Sequence, residues 1–416
     1  MSRITLHHDD CRAVLARMAD EGVRVQSVVC DPPYYLESIV KRFGKDGAAP
    51  AKAGSDGRFA RQSKGFMGKA WDGADPDGSR IAQDPEFWRL VYEVLEPGGY
   101  VLAFSSPRTG HWQACAMELA GFIMHPFIGW VYGQGFPKAH AVGKAIDKAL
   151  GTAEAATWEG WFYGTQSLKP ALEPIYMGQK PFAEKNGFLN ILKHGVGAVN
   201  IDGCRIRGES TVRPRAATDF GLINDDGWVP TPGTNGSDQG RWPANLVHDG
   251  SEGVTAIFPA QAGAAAPVHR RNADKFRNTY GAFKGNVDEA GSTFRGDSGS
   301  AARFFNAFPA NPIMYQAKAS KADRAGSSHP TVKPVALMRW LCRLVTPPGG
   351  TVLDPFAGSG STGQAARDEG FDCVLIERET DYATDIRRRL NLALPWRKDP
   401  DILALVGFPS DVAELL

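Results

Sequence analysis

The sequence predicts an α/β fold: a mainly parallel, twisted sheet with helices on both faces, carrying a large insertion. Three observations lead there. Strand-like and helix-like stretches alternate through the first part of the chain, and the alternation returns near the C-terminus around a glycine-rich loop. Between them, from about Gly203 to Ser300, apolar periodicity fades into Gly, Asn, Asp, Ser and Pro. With 416 residues the chain exceeds one ordinary core, so one large domain with insertions or two domains are the starting expectations.

Taken in order, Ile4 to His7 reads as a strand, Cys11 to Met18 as a helix and the apolar run Val25 to Cys30 as a buried strand. Phe43 to Gly78 has little periodicity and is expected as a mobile loop, residues 43–78, which a plain insertion and a substrate-gating lid explain equally well. A helix follows around Pro85 to Leu95, then the turn Pro97-Gly98-Gly99 and a strand from Tyr100 to Ser105. A helix near Gln113 to Ala120, paired strands within Ile123 to Tyr132, a glycine-flanked loop Gly133 to Lys138, a strand Glu173 to Gly178 and a helix Ala183 to His194 complete a first half, residues 1–202. Residues 203–302 form the variable region. A second ordered unit, 303–396, holds a short strand Asn311 to Gln316 and a helix from Pro334 to Val345, with Pro334 in its first turn and Pro347-Pro348-Gly349-Gly350 as its stop. The strand Thr351 to Phe356, the tight loop Ala357 to Gly363, a helix starting over Gln364 to Asp368 and the strand Phe371 to Ile376 follow, and residues 397–416 are a tail.

An apolar fraction of 43% indicates a globular protein, and a net charge of +1 with a pI near 7.7 carries no bulk signature of nucleic-acid binding. Any such surface must be local. Candidates are Lys138 and the clusters Arg205/Arg207, Arg213/Arg215 and Arg270/Arg271/Lys275/Arg277, the last beside Asn272, Asn278 and Tyr280, where phosphate contact and base-edge reading are chemically available. Interspersed acids such as Asp225, Asp226 and Asp238 leave a solvated loop as the alternative. The six cysteines form no C-x-x-C pair and suit reduced core thiols, so no metal site is indicated. No signal-peptide core and no run of about 18 apolar residues occurs, so the expectation is a protein neither secreted nor membrane-spanning.

Asp31-Pro32-Pro33-Tyr34 closes the strand Val25 to Cys30. Two successive prolines supply no ladder donors and hold the backbone extended, so the strand ends and its carbonyls remain to accept from another group. Asp31 adds a carboxylate and Tyr34 a flat ring. An exocyclic base amine is a poor nucleophile because its lone pair is delocalised; a carboxylate and a carbonyl that accept its two hydrogens pull it toward a tetrahedral, attacking geometry. A strand-ending turn with a surface Tyr accounts for the same four residues. The second motif, Gly358, Gly360 and Gly363, satisfies G-x-G-x-x-G after a strand, and Glu377 ends the next strand where an acid would grip ribose hydroxyls. That fingerprint fits NAD as well as it fits another adenosine cofactor. A Walker loop would need Lys where Gln364 stands. Of these readings, only a methyl donor with an adenosine and a charged sulfonium uses both motifs.

With Asp31-Pro32-Pro33-Tyr34, His329-Pro330-Thr331-Val332-Lys333-Pro334 and Asp354-Pro355-Phe356-Ala357-Gly358-Ser359-Gly360 in hand, the chain resembles the amino-group DNA methyltransferases of the N6-adenine/N4-cytosine family. The catalytic tetrapeptide precedes the cofactor loop, which is similar to the family's β arrangement. The resemblance covers about residues 4 to 200 and 303 to 392 and implies a Rossmann-like, S-adenosylmethionine-dependent fold in which the two chain ends meet, with the unmatched region as target reader. It implies a catalytic role for Asp31, Pro32, Pro33 and Tyr34, and a donor site built from Phe356, Gly358 and Gly360 with Glu377 on the ribose. Asp354 would lie near the donor's amino-acid end or support the loop. His329, Thr331 and Lys333 would close over the donor or simply lead into a helix. Asp10 would touch the adenine or cap the helix from Cys11.

The implied activity is methyl transfer to the amino group of a flipped base in double-stranded DNA, with N6 of adenine favoured because Asp heads the tetrapeptide and N4 of cytosine as the alternative. A C5-cytosine enzyme would need a nucleophilic Cys in a Pro-Cys setting, and no Pro-Cys dipeptide occurs. Methylation of a protein glutamine or an RNA base, and a catalytically inactive DNA-binding homologue, are further alternatives. The resemblance also implies a cytoplasmic setting in a bacterium, archaeon or phage, with a second copy of the chain and a companion restriction endonuclease as candidate partners. The recognition sequence is not written in any motif.

Overall fold

In the computed structural model, the described residues are 2–35, 80–133, 135, 137–151, 153–206, 213–214, 234–235, 239–261, 299–308, 321–327, 329 and 331–392. The loop 43–78, the strand expected at 311–316 and the tail 397–416 lie outside them.

The N-terminal strand β1 (Ile4–His7) leads into helix α1 (Cys11–Asp20), whose first turn Asp10 caps by accepting the Arg12 N–H at 2.9 Å. Then come β2 (Val25–Cys30), α2 (Pro85–Val94), β3 (Leu95–Phe104), α3 (Gly110–Leu119) and β4 (Ile123–Val131). A small ribbon, β5 (Lys138–Ala141) with β6 (Phe162–Gln166), brackets α4 (Val142–Leu150) and α5 (Glu154–Thr157). After β7 (Leu172–Gln179) and α6 (Gly187–His194) the chain makes the short pair β8 (Arg213–Pro214) and β9 (Thr234–Asn235), then β10 (Leu246–His248), α7 (Glu252–Thr255), β11 (Asn306–Ala307) and α8 (Lys321–Arg324). The C-terminal run is α9 (Val335–Val345), β12 (Thr351–Asp354), α10 (Ser361–Glu369), β13 (Asp372–Ile376) and α11 (Thr380–Leu390).

Nine strands form one sheet in the order β1-β13-β12-β2-β3-β7-β4-β10-β11. All neighbours pair in parallel except β7, which runs antiparallel to both β3 and β4. The period-two alternation of strand side chains sorts the core into two layers. Val28, Cys30, Leu353 and Ile376 face the layer of α1, α2 and α3, whereas Val29, Val352, Cys373 and Leu375 face the layer of α9, α10 and α11. Both faces are therefore covered, which is why β2 reads as a nearly continuous apolar run. The sequence ends meet as expected: β12 and β13 lie between β1 and β2, so the glycine loop and Asp31 are brought side by side. From β12 the chain moves to β13, and from β2 it moves the other way to β3, which makes the crevice between them a topological switch point.

Local differences from the sequence expectations have simple causes. Ile123–Val131 is one strand rather than two, because no turn residue divides it; Pro126 breaks the ladder only into a register shift between His125 and Ile128. Pro97-Gly98-Gly99 lies inside β3, absorbed by an irregularity in its pairing with β2 between Val25 and Ser27. The helix expected from Ala183 starts only at Gly187, where Asn186 accepts the Leu189 N–H at 3.1 Å as its cap. Part of the expected variable region belongs to the core: Cys204 and Ile206 are buried, and β10 is an interior strand of the sheet.

Candidate active site

One cleft runs across the carboxyl ends of β1, β2, β12 and β13, lined among others by Asp10, Asp31, Pro33, Asp354, Phe356 and Glu377. His329, Thr331 and Lys333, which precede α9, line it as well. Pro32 is buried at the strand end, and Tyr34 packs against the core at its edge.

At one end stand the hydrogen-bond acceptors. The Tyr34 hydroxyl donates to Asp31 Oδ1 at 2.9 Å and lies 3.4 Å from Glu173 Oε2. Lys333 Nζ donates to Asp31 Oδ2, is 3.3 Å from the Tyr34 hydroxyl and 3.8 Å from Glu173 Oε2. The ammonium also sits over the Phe104 ring, 4.8 Å from its centroid. Lys333 and Glu173 are almost completely enclosed, each side chain 4% exposed, so their charges are held by one another and by Asp31 rather than by water. Next door, Tyr35 adopts φ 53°, and its hydroxyl accepts the Ile81 N–H at 2.7 Å, pinning the chain just before and just after residues 36–79.

At the other end the glycine loop supplies the backbone. Gly358 and Gly360 have φ of 52° and 76°, and a Cβ on Gly358 would stand 3.0 Å from His329 Nε2. They do not line the cleft themselves; they allow the turn that presents Ala357, Ser359 and Ser361 to it. Gly363, the third glycine, lies where α10 packs on β13, and a Cβ there would press on Leu375 and Leu390. Glu377 Oε2 accepts the Gly358 N–H at 2.7 Å, and Oε1 accepts the Glu379 N–H at 2.8 Å. Each oxygen keeps a lone pair for a further donor. Burial pushes the Glu377 carboxyl up to about 7, opposed by those two backbone bonds. Asp354 is likewise raised to about 7 by burial, against hydrogen bonds from the Thr362 hydroxyl and, at 3.0 Å, the Phe356 N–H. Its observed bonds are thus those of a loop support. Burial lowers His329 to about 4, which leaves a neutral ring edge-on to Tyr382 at 4.5 Å, its Nδ1 accepting the Thr331 N–H at 3.3 Å.

An aromatic-flanked carboxylate and a loop of left-handed glycines backed by a buried acid thus share one crevice. In comparison with known proteins, residues 25–388 match the N6_N4_Mtase family, described as DNA methylase. The chain belongs to this family. Two Haemophilus influenzae proteins are similar to it in part: the Type II methyltransferase M.HindIII, 28% identical over 145 residues, covering 34% of this chain and 46% of that protein, and the Type II methyltransferase M.HinfI, 34% identical over 92 residues, covering 22% and 26%. The matched segments thus span less than half the length of either relative. Among solved structures, an M1.HpyAVI–SAM complex aligns over 94% of this chain and 100% of its own, with 14% identity and a TM-score of 0.40. The PvuII DNA methyltransferase (cytosine-N4-specific) aligns over 98% and 92%, with 11% identity and a TM-score of 0.41.

In this DNA methylase family member the remaining predicted site residues are unevenly placed. Asp31, Asp10, His329, Thr331, Lys333, Asp354, Phe356 and Glu377 share the cleft, although Lys333 places its ammonium on the acceptor carboxylate. Of the basic candidates, Arg205 is committed elsewhere: its guanidinium bonds Asp202 at 2.8 Å and the Gly240 carbonyl at 3.3 Å and lies 5.4 Å from the Trp242 ring. Lys138 opens β5 and Arg213 opens β8, while Arg207, Arg215, Arg270, Arg271, Lys275 and Arg277 lie outside the described residues. Sequence reasoning did not single out Glu173, Thr362 or Tyr382. The available signal for Glu173 was an acid inside the apolar strand run Leu172-Glu173-Pro174-Ile175.

Proposed function

We propose that the chain is a site-specific DNA methyltransferase that moves a methyl group from S-adenosylmethionine to the exocyclic amine of a flipped base, N6 of adenine in the first instance. The observation that carries this reading is the meeting of Asp31 and the glycine loop in one crevice between the carboxyl ends of β2 and β12. The cradle fits an adenosine donor: two left-handed glycines admit no side chain, and the enclosed Glu377 carboxylate has lone pairs for two ribose hydroxyls. When bound, S-adenosylmethionine supplies a methyl group on a cationic sulfur, a leaving group that departs with the bonding electrons.

The residues of this chain do the rest. Asp31 and the Pro32 carbonyl accept the two amine hydrogens, which localises the nitrogen lone pair and aims it at the carbon it will bond. Tyr34 offers a ring for the base to stack on and holds Asp31 through its hydroxyl. Once the nitrogen has formed its fourth bond it is cationic, and it returns to neutrality by giving one proton to the Asp31 carboxylate and from there to water. Asp at the head of the tetrapeptide favours adenine over cytosine in this reading.

Incubation of the purified chain with methyl-tritiated S-adenosylmethionine and plasmid DNA from a methylase-deficient host, followed by nucleoside mass spectrometry, tests it. Label in N6-methyladenine is expected. Label in N4-methylcytosine would overturn the base assignment, and no label in DNA would overturn the function.

A further inference from the structure

Lys333 neutralises the carboxylate that the methyl-transfer reading gives to the substrate amine. Its Nζ donates to Asp31 Oδ2 while the Tyr34 hydroxyl donates to Oδ1, so both oxygens of the acceptor carboxylate already hold a donor. A primary aromatic amine is itself a donor, and the Asp31 carboxylate, whose charge the ammonium now neutralises, accepts from it at full strength only where the ammonium gives way. The ammonium cannot leave for water, because the Lys333 side chain is 4% exposed, and a buried cation stripped of its anion is strongly unfavourable. Among the described residues the other carboxylate within 4 Å of it is that of Glu173, on β7, whose Oε2 lies 3.8 Å from Nζ and 3.4 Å from the Tyr34 hydroxyl. A movement of roughly 1 Å converts that ion pair into a direct charge-assisted hydrogen bond.

We infer that Glu173 is the second seat of the Lys333 ammonium, receiving it when the substrate amine takes its place on Asp31. Glu173 is on this account a positioning residue: it touches no reacting atom and acts by keeping Lys333 paired as Asp31 is vacated. Two carboxylates and one ammonium then face the nitrogen as it becomes cationic, and their net negative charge favours that change. The inference rests on the methyl-transfer reading above.

The test is a double-mutant cycle of Glu173→Gln and Lys333→Met, with S-adenosylhomocysteine affinity, DNA affinity, melting temperature and the single-turnover rate on plasmid DNA measured for each protein. Glu173→Gln keeps the shape but removes the charge. It is expected to slow transfer at least tenfold with both affinities nearly unchanged, Glu173→Asp is expected to restore part of the rate, and the loss is expected to shrink several-fold in the Lys333→Met background, where no ammonium needs a second seat. An equal loss in both backgrounds, or an unchanged rate in Glu173→Gln, overturns the inference. The wild-type chain supplies an independent readout: the 15Nζ signal of Lys333 is expected to shift when a duplex carrying the unmethylated site is added with S-adenosylhomocysteine, and a signal that stays in place overturns the inference even where a variant does not fold. A wild-type chain that transfers no methyl group to DNA amines overturns the functional reading itself, whereas active wild type with a silent cycle removes only Glu173.

Discussion

Gly358→Ala probes the cofactor cradle through a single methyl group. The residue has φ of 52°, so an L side chain there costs about 1–2 kcal/mol in backbone strain alone. The added Cβ would also stand 3.0 Å from His329 Nε2 and 3.3 Å from Cε1. His329 cannot easily withdraw, because its ring is packed edge-on to Tyr382 at 4.5 Å and its Nδ1 accepts the Thr331 N–H. The loop cannot easily withdraw either: the Ala357 N–H donates to the Ile376 carbonyl at 3.0 Å, and the Gly358 N–H donates to Glu377 at 2.7 Å. Overpacking of this kind adds about 1–3 kcal/mol. Together the two terms come to about 2–5 kcal/mol, divided between global stability and the geometry of the loop. Calorimetric titration with S-adenosylhomocysteine is expected to show affinity weakened by a factor of about ten or more, since about 1.4 kcal/mol corresponds to tenfold. In a His329→Ala background the steric part should vanish and only the backbone part remain. Affinity and melting temperature both close to wild type would refute the reasoning, because neither strain nor overlap would then be present.

Two other outcomes follow from the same geometry. Glu377 and Asp354 are both raised by burial to about 7, so between about pH 4 and 7 the folded chain holds protons that the unfolded chain has released. Their contribution to stability is therefore fully present at low pH and is lost as pH rises through about 7, while donor binding, for which the proposed function uses the Glu377 carboxylate as acceptor, should strengthen over the same interval. Calorimetric titrations of wild type and Glu377→Gln from acid to mildly alkaline pH check this; the variant should bind weakly with a flatter profile, and an equally steep profile would assign the proton elsewhere. Arg205→Ala should lower the melting temperature while leaving the salt dependence of DNA binding unchanged, because its guanidinium is engaged by Asp202 and Gly240 rather than presented to phosphate. A reduced salt slope would show that it reaches DNA.

What could be read in advance was whatever local chemistry dictates. Asp31-Pro32-Pro33-Tyr34 ends a strand because two prolines cannot continue one, and Gly358 and Gly360 turn because left-handed backbone needs glycine. The strands β2 and β12 are buried on both faces along most of their length and β13 in alternation, and all three read as mainly apolar runs. Long-range pairing was not legible. Glu173 reaches Tyr34 across 139 positions of chain only because β7 inserts antiparallel between β3 and β4, and Lys333 reaches Asp31 across 302 positions, a pairing outside both the closing segment that the resemblance implied and the plain lead into a helix. β10 and β11, three and two residues long, are too short to carry any periodicity, so their membership of the sheet is visible only in three dimensions.

The account stands on Asp31 as the acceptor that turns an inert base amine into a nucleophile. Its most direct test is Asp31→Ala, assayed for methyl transfer to plasmid DNA beside calorimetric binding of S-adenosylhomocysteine. The account predicts that transfer falls by a factor of about 10³ or more, the scale of losing a charged transition-state contact, while binding of the donor's product survives at the Glu377 and Gly358 end of the cleft. Transfer at near wild-type rate with Asp31 gone would contradict it.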